Sequence, residues 1–260
     1  MLHEVAIVAY ERELLGWVMD LPGCVAAGRD RADLDLRLRL AIAEHLTWLR
    51  SHGEDAGDGT SGDETSGDDT SWTAAQEVDA QARRPTGGDF LFELERGPLS
   101  SAGLEGMIAR MRFAQADLLA SARGLPGLLL DWEPPASAIG EPDPWSPEPR
   151  TIRQITVHAL QLDLFYRESL RDGPAPGIFE RVRPPEEEFE TTIALLRGLD
   201  DEDRFRVWRP VHPGSADAEE WTARKVVRRS ISHLRAHTAE IAQRRTWVLL
   251  GAPLIERAHG

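Results

Sequence analysis

The chain has 260 residues, 41% apolar and 28% charged, with a net charge of −14, which is ordinary for a globular chain holding one large domain or two smaller ones. No run approaches the roughly 20 consecutive apolar residues of a membrane-spanning helix, no basic leader opens the chain, and no basic face offers itself to a phosphate backbone. The single cysteine, Cys24, excludes an internal disulfide, so the expected setting is the cytoplasm, with neither membrane nor nucleic acid as partner.

In chain order, strands are expected over His3–Tyr10 and Gly16–Leu21, separated by a charged turn, ERELL. A Leu21-Pro22-Gly23-Cys24 turn and a short run, VAAG, follow. Leu34, Leu38, Ile42, His45, Leu46 and Leu49 then recur at helical spacing from Arg31 to Arg50, with Asp30 as N-cap. Residues 54–71 hold seven carboxylates and no Lys or Arg, which is half of the net charge. With almost nothing apolar to bury, this run is expected to be disordered. Its acidic positions do not fit a calcium loop, which needs Gly at the sixth place and Glu at the twelfth. Two further strands are expected over Gln76–Arg83 and Asp89–Glu95, around a Pro-Thr-Gly-Gly turn.

From Ser101 the pattern is helical. Helices are expected over about Leu104–Ala122, Thr151–Leu170, Glu186–Leu199 and Thr222–Leu250, with a Pro-rich crossing before Thr151 and a tail over 251–260. The fold class is therefore α+β: a small α/β unit over 1–97 followed by an all-α four-helix bundle over 98–250.

Eight histidines occur, and three share one character. His233 and His237 are four apart on a helical stripe with Val226, Ser230 and Ile241, so both imidazoles leave one face. His158 lies on the inward stripe of Ile155, Leu162 and Phe165. A buried imidazole must be hydrogen-bonded or coordinated, and spacing alone leaves both readings open. Three nitrogen donors from two helices would leave positions for water or substrate, the pattern of an open rather than a closed metal site. His3, His52 and His259 fall near ends or linkers, His212 in a loop, and His45 in the first unit's helix. Arg153, Asp163, Tyr166, Glu168 and Glu240 lie within a turn or two of the three histidines and have ordinary surface roles open to them. Cys24 fills a turn, with no base nearby in sequence to activate it.

The stretch from Leu99 to Leu250 resembles the DinB family of metal-binding four-helix bundles. The resemblance rests on TIRQITVHALQLDLFYRESL, on Glu220-Trp221-Thr222-Ala223-Arg224-Lys225-Val226-Val227-Arg228-Arg229, and on the H-x-x-x-H that follows. It implies His158, His233 and His237 as ligands of a divalent metal, zinc or nickel, and a homodimer. It also implies transferase or hydrolase chemistry on a small-molecule substrate, with a low-molecular-weight thiol or activated water. LPGCVAAGRDRADLDLRLRLAIAEHLTWLR is similar to the HicB-like antitoxin fold, which implies a recruited module for partner recognition. A non-catalytic binding or oligomerisation protein is the alternative that this second resemblance supports.

Overall fold

The computed structural model describes residues 2–10, 12–54, 71–79, 90–133, 151–174, 184–211 and 219–258. Strand β1 (Leu2–Ala9) is the central strand, and its Val5-Ala6-Ile7-Val8 run is buried on both faces. Val5 and Ile7 join a core with Leu34, Leu38 and Ile42, while Ala6 and Val8 meet Trp17 and Phe92 on the other side. A strand covered on both sides needs such a continuous apolar run. β2 (Leu14–Val18) pairs antiparallel with β1, and β3 (Val25–Gly28) antiparallel with β2. Helix α1 (Arg31–Ser51) starts where the Asp30 carboxylate accepts from the Asp33 backbone N–H at 2.9 Å. At Gly28 a Cβ would lie 2.4 Å from the Leu34 nitrogen, so only glycine lets α1 fold back this closely. β4 (Ser71–Asp79) then pairs parallel with β1, giving a mixed sheet of order β3-β2-β1-β4.

The order strand, strand, strand, helix is the expected one, but several boundaries differ. β2 begins at Leu14, because Leu14 already pairs with Ala9 across a shorter turn. β4 is described over Ser71–Asp79, starting before the expected Gln76, and 80–83 of the expected strand lie outside the described residues. Asp89–Glu95 is not a strand in its described part. Phe92 is wholly buried, and the Glu95 carboxylate reaches back to accept from its N–H at 3.0 Å. That closes a 3-10 turn over Glu93–Glu95 instead of an extended ladder. Most of the 54–71 run lies outside the described residues; at its margins Glu54 pairs with Arg110 at 2.9 Å and Ser71 opens β4.

The helical part comprises α2 (Ser101–Ala122), a short α3 (Gly127–Leu130), α4 (Ile152–Glu168), α5 (Pro185–Gly198) and α6 (Ala223–Ala258). Two short strands, β5 (Gly173–Pro174) and β6 (Pro210–Val211), pair beside them. Gly251 and Pro253 suggest a helix stop, yet α6 continues to Ala258 in place of the expected tail. The Leu-Ile-Glu-Arg-Ala segment that follows Pro253 is made of residues that favour helix.

Polar contacts set the directions of the bundle. Arg224 donates to the Pro98 carbonyl and Arg245 to that of Ser121, so α2 and α6 run parallel. Arg112 pairs with Glu190 and Arg197 with Glu105, so α5 opposes α2. Tyr166 stacks near Trp221 while His158 meets His237, so α4 opposes α6. Four helices in an up, down, down, up order enclose one core, with Ile108, Met111, Ile155, Phe189, Ile193, Val226 and Ile241 all at or near full burial.

The sheet unit docks on α6. Gly23 has φ of +89°, which favours glycine, and a Cβ there would lie 2.2 Å from Ile231 Cγ2. The Pro22-Gly23 turn therefore rests directly on the bundle. Below it Arg228 of α6 meets Glu95 at 2.7 Å with both side chains 3% exposed, under the Trp17 and Phe92 rings. Further along, Arg235 lies 4.5 Å over the Trp48 ring and bonds to His45.

Candidate metal centre

α4 and α6 face each other with apolar stripes, and the three expected histidines fall where those stripes meet. The His158 ring lies 5.3 Å from that of His233 and 5.1 Å from that of His237, and the latter two are 4.3 Å apart. One ring nitrogen from each lies within 4.8 Å of the others, an arrangement that could hold a metal ion. Around one tetrahedral ion such nitrogens would be about 3.3 Å apart, so small side-chain rotations close the set. All three rings are half-buried. Coordination open to an outside ligand suits that exposure, since a closed structural site has no such need.

A carboxylate orients one donor. Glu240, one turn beyond His237, meets the His237 Nδ1 at 2.8 Å. A proton on that nitrogen leaves Nε2 with its lone pair outward, the arrangement that an outer carboxylate gives a metal-binding histidine. Burial acts to raise the Glu240 carboxyl, but the His237 hydrogen bond and charge, with the Arg244 charge, outweigh it and hold it below the usual range. Replacing Glu240 with Ala is expected to weaken metal binding about 10- to 100-fold, read by competition against a chelating dye. An unchanged affinity would reduce this carboxylate to an ordinary surface group.

Tyr166 is buried and edge-on to His233, with ring centroids 6.2 Å apart. The other polar neighbours stand apart from the cluster in their pairings. Arg153 pairs with Asp131 on the surface and Glu168 with Arg171, while the Asp163 side chain lies outside the described residues. Two histidines expected near ends or linkers are packed. His3 is buried and meets Asp20 at 2.6 Å, and His52 stacks on Phe113 and meets Asp117 at 3.0 Å. His212 and His259 lie outside the described residues. Cys24 is buried beneath its turn, and burial pushes the thiol up to about 12, which removes it as a nucleophile.

A cavity of about 620 Å³ opens elsewhere, between the sheet unit and the bundle, lined by Asp20, Met107, Arg110, Asp201, Phe205 and Arg224 among others. None of the three histidines borders it. Asp20, Arg110 and Asp201 are already paired with His3, Glu54 and Arg204. Its volume is that of a ligand pocket, but its charges are largely spent on the fold, whereas the histidine cluster concentrates donors.

No protein-family model matches the chain, and no curated protein does. One solved structure with some likeness is YfiT from Bacillus subtilis, described as a probable metal-dependent hydrolase with an unusual four-helix bundle topology. The two are 20% identical with a TM-score of 0.40, over 62% of this chain and 95% of that one. So distant a likeness carries no argument about this chain. Among the described residues, no helix is long and apolar enough to cross a membrane.

Proposed function

We propose that this chain is a DinB-like metal-dependent transferase or hydrolase that holds one divalent ion, zinc or nickel, on His158, His233 and His237. The observation that carries this reading is the convergence of three imidazole nitrogens within 4.8 Å from two opposed helices. A divalent ion bound there would lower the pKa of a bound water or small-molecule thiol and so supply a nucleophile near neutral pH. The chain's own part is to hold the donors. α4 presents His158, α6 presents the other two one turn apart, and Glu240 fixes the ring of His237. Tyr166, itself packed on Trp221, places its ring edge-on to His233.

Elemental analysis of the purified full chain, beside a His158→Ala, His233→Ala, His237→Ala triple variant, tests this directly. About one zinc or nickel per parent chain and none in the variant is the expected result. No metal in either, with equal stability, would instead favour a binding module built on the HicB-like reading of the sheet unit. The feature that would serve it is Leu36 and Leu40, one turn apart on the outward face of α1 and 59% and 63% exposed.

A further inference from the structure

The core stripe of α6 that carries His233 and His237 continues through Ile241 to Arg244 and Val248. Arg244 is 5% exposed, as buried as its apolar neighbours. Its guanidinium makes one long contact, Nη2 to Glu240 Oε1 at 3.4 Å, and lies 5.2 Å from the Trp247 ring. Its Nε and Nη1 are both buried and have no hydrogen-bond acceptor among the described residues. Other buried arginines of the bundle are matched: Arg228 meets Glu95 at 2.7 Å and Arg167 meets Glu188 at 2.6 Å. Glu240 cannot match Arg244 in the same way, because its other oxygen is committed to His237.

A buried cation with most of its donors unused is costly to the fold, and such local defects concentrate where a ligand completes them. The position suits that role. Arg244 is seven residues beyond His237 on the same face, and helical side chains lean toward the N-terminus, so the guanidinium reaches back toward the histidines. Glu240 contacts both His237 and Arg244 and so bridges the two.

We propose that Arg244 is a substrate-binding residue that receives a carboxylate of the substrate whose reacting end lies at the three-histidine centre. A carboxylate fits better than a phosphate. One guanidinium beside the charged Glu240 neutralises a single negative charge and would leave a dianion unmatched. This assignment rests on the metal reading of His158, His233 and His237.

The test uses the full chain loaded with cobalt(II), with mercaptocarboxylates of two to five methylene groups and the mercaptoalcohols of equal length as probes. Affinity is read from the thiolate-to-cobalt absorption. The carboxylate is expected to strengthen binding about tenfold or more at one chain length. That gain is expected to vanish in Arg244→Met and to be partly kept in Arg244→Lys, which retains the charge. Arg244→Met is also expected to melt no lower than the parent, since it removes a buried cation whose one carboxylate contact is long, at 3.4 Å. Equal affinity for acids and alcohols in the parent, or a gain that survives in Arg244→Met, overturns the role of Arg244 while leaving the metal centre standing. If Arg244→Met does not fold, the parent's acid-to-alcohol ratio and the lysine variant decide the matter. Cobalt that fails to bind at all overturns the metal reading and this inference together.

Discussion

Glu95→Ala is expected to destabilise the chain by about 3–5 kcal/mol, a large part of the roughly 5–15 kcal/mol stability of an ordinary domain. The reason is geometric. Glu95 and Arg228 are each 3% exposed, and the carboxylate contacts Nε at 2.7 Å and Nη2 at 3.2 Å while also accepting the Phe92 N–H. Its removal leaves a guanidinium between the Trp17 and Phe92 rings with its opposite charge gone. The same change also undoes the 3-10 turn that delivers Phe92 to the sheet. Because the charge left behind is the main penalty, a Glu95→Leu, Arg228→Met double variant is expected to lose less than the single one. Urea denaturation of the parent and these two variants measures both numbers. A single-variant loss below about 1 kcal/mol would show that the pair is solvated rather than buried.

The second large effect is acid lability centred on His45. This imidazole is fully buried, and its Nδ1 accepts from the Arg235 guanidinium. Burial, reinforced by the charges of Arg235 and Arg110, pushes its pKa down to about 2. An unfolded histidine takes its proton near 6.5. Below that pH the unfolded chain binds a proton that the folded chain refuses, so stability rises with pH in this window and is lost on acidification. The contribution is complete above pH 6.5 and falls by about 1.4 kcal/mol per unit below it, or about 2 kcal/mol at pH 5. His45→Gln cannot titrate, so between pH 7 and pH 5 its stability is expected to fall by about 2 kcal/mol less than the parent's. Parallel urea curves at the two pH values read this difference, in which the remaining histidines cancel. Identical acid sensitivity would mean that His45 is protonated in the fold.

Much of this architecture is legible in residue spacing. The apolar stripes of α1, α2, α4, α5 and α6 locate the helices to within a few residues, except at the C-terminal end of α6, because each buries one continuous face. The three histidines are legible for the same reason, since a polar ring on an apolar stripe stands out. What spacing cannot supply is height. Whether His158 meets His233 or passes it depends on how far α4 slides along α6, and that is set by packing such as Tyr166 against Trp221. Arg244 was invisible for a related reason. Arginine near a helix end reads as solvated surface, and its burial follows from neighbours far away in sequence. DFLFELE misleads because Phe90 and Phe92 alternate like a strand, while Glu95, apparently a surface charge, is drawn inward by an arginine 133 positions later.

The parallel pairing of α2 with α6 has a consequence for synthesis on the ribosome. α2 ends at Ala122 and α6 begins at Ala223, and α6 is also the surface on which Gly23, His45 and Glu95 of the sheet unit dock. The sheet face beneath α1 is covered by that helix, but the surfaces of α2 and of the sheet unit that rest on α6 stay open until the last of the described helices has emerged. The contacts made by α6 therefore form late and together, and a chain halted before Ala223 leaves the exit tunnel with those surfaces open to chaperones.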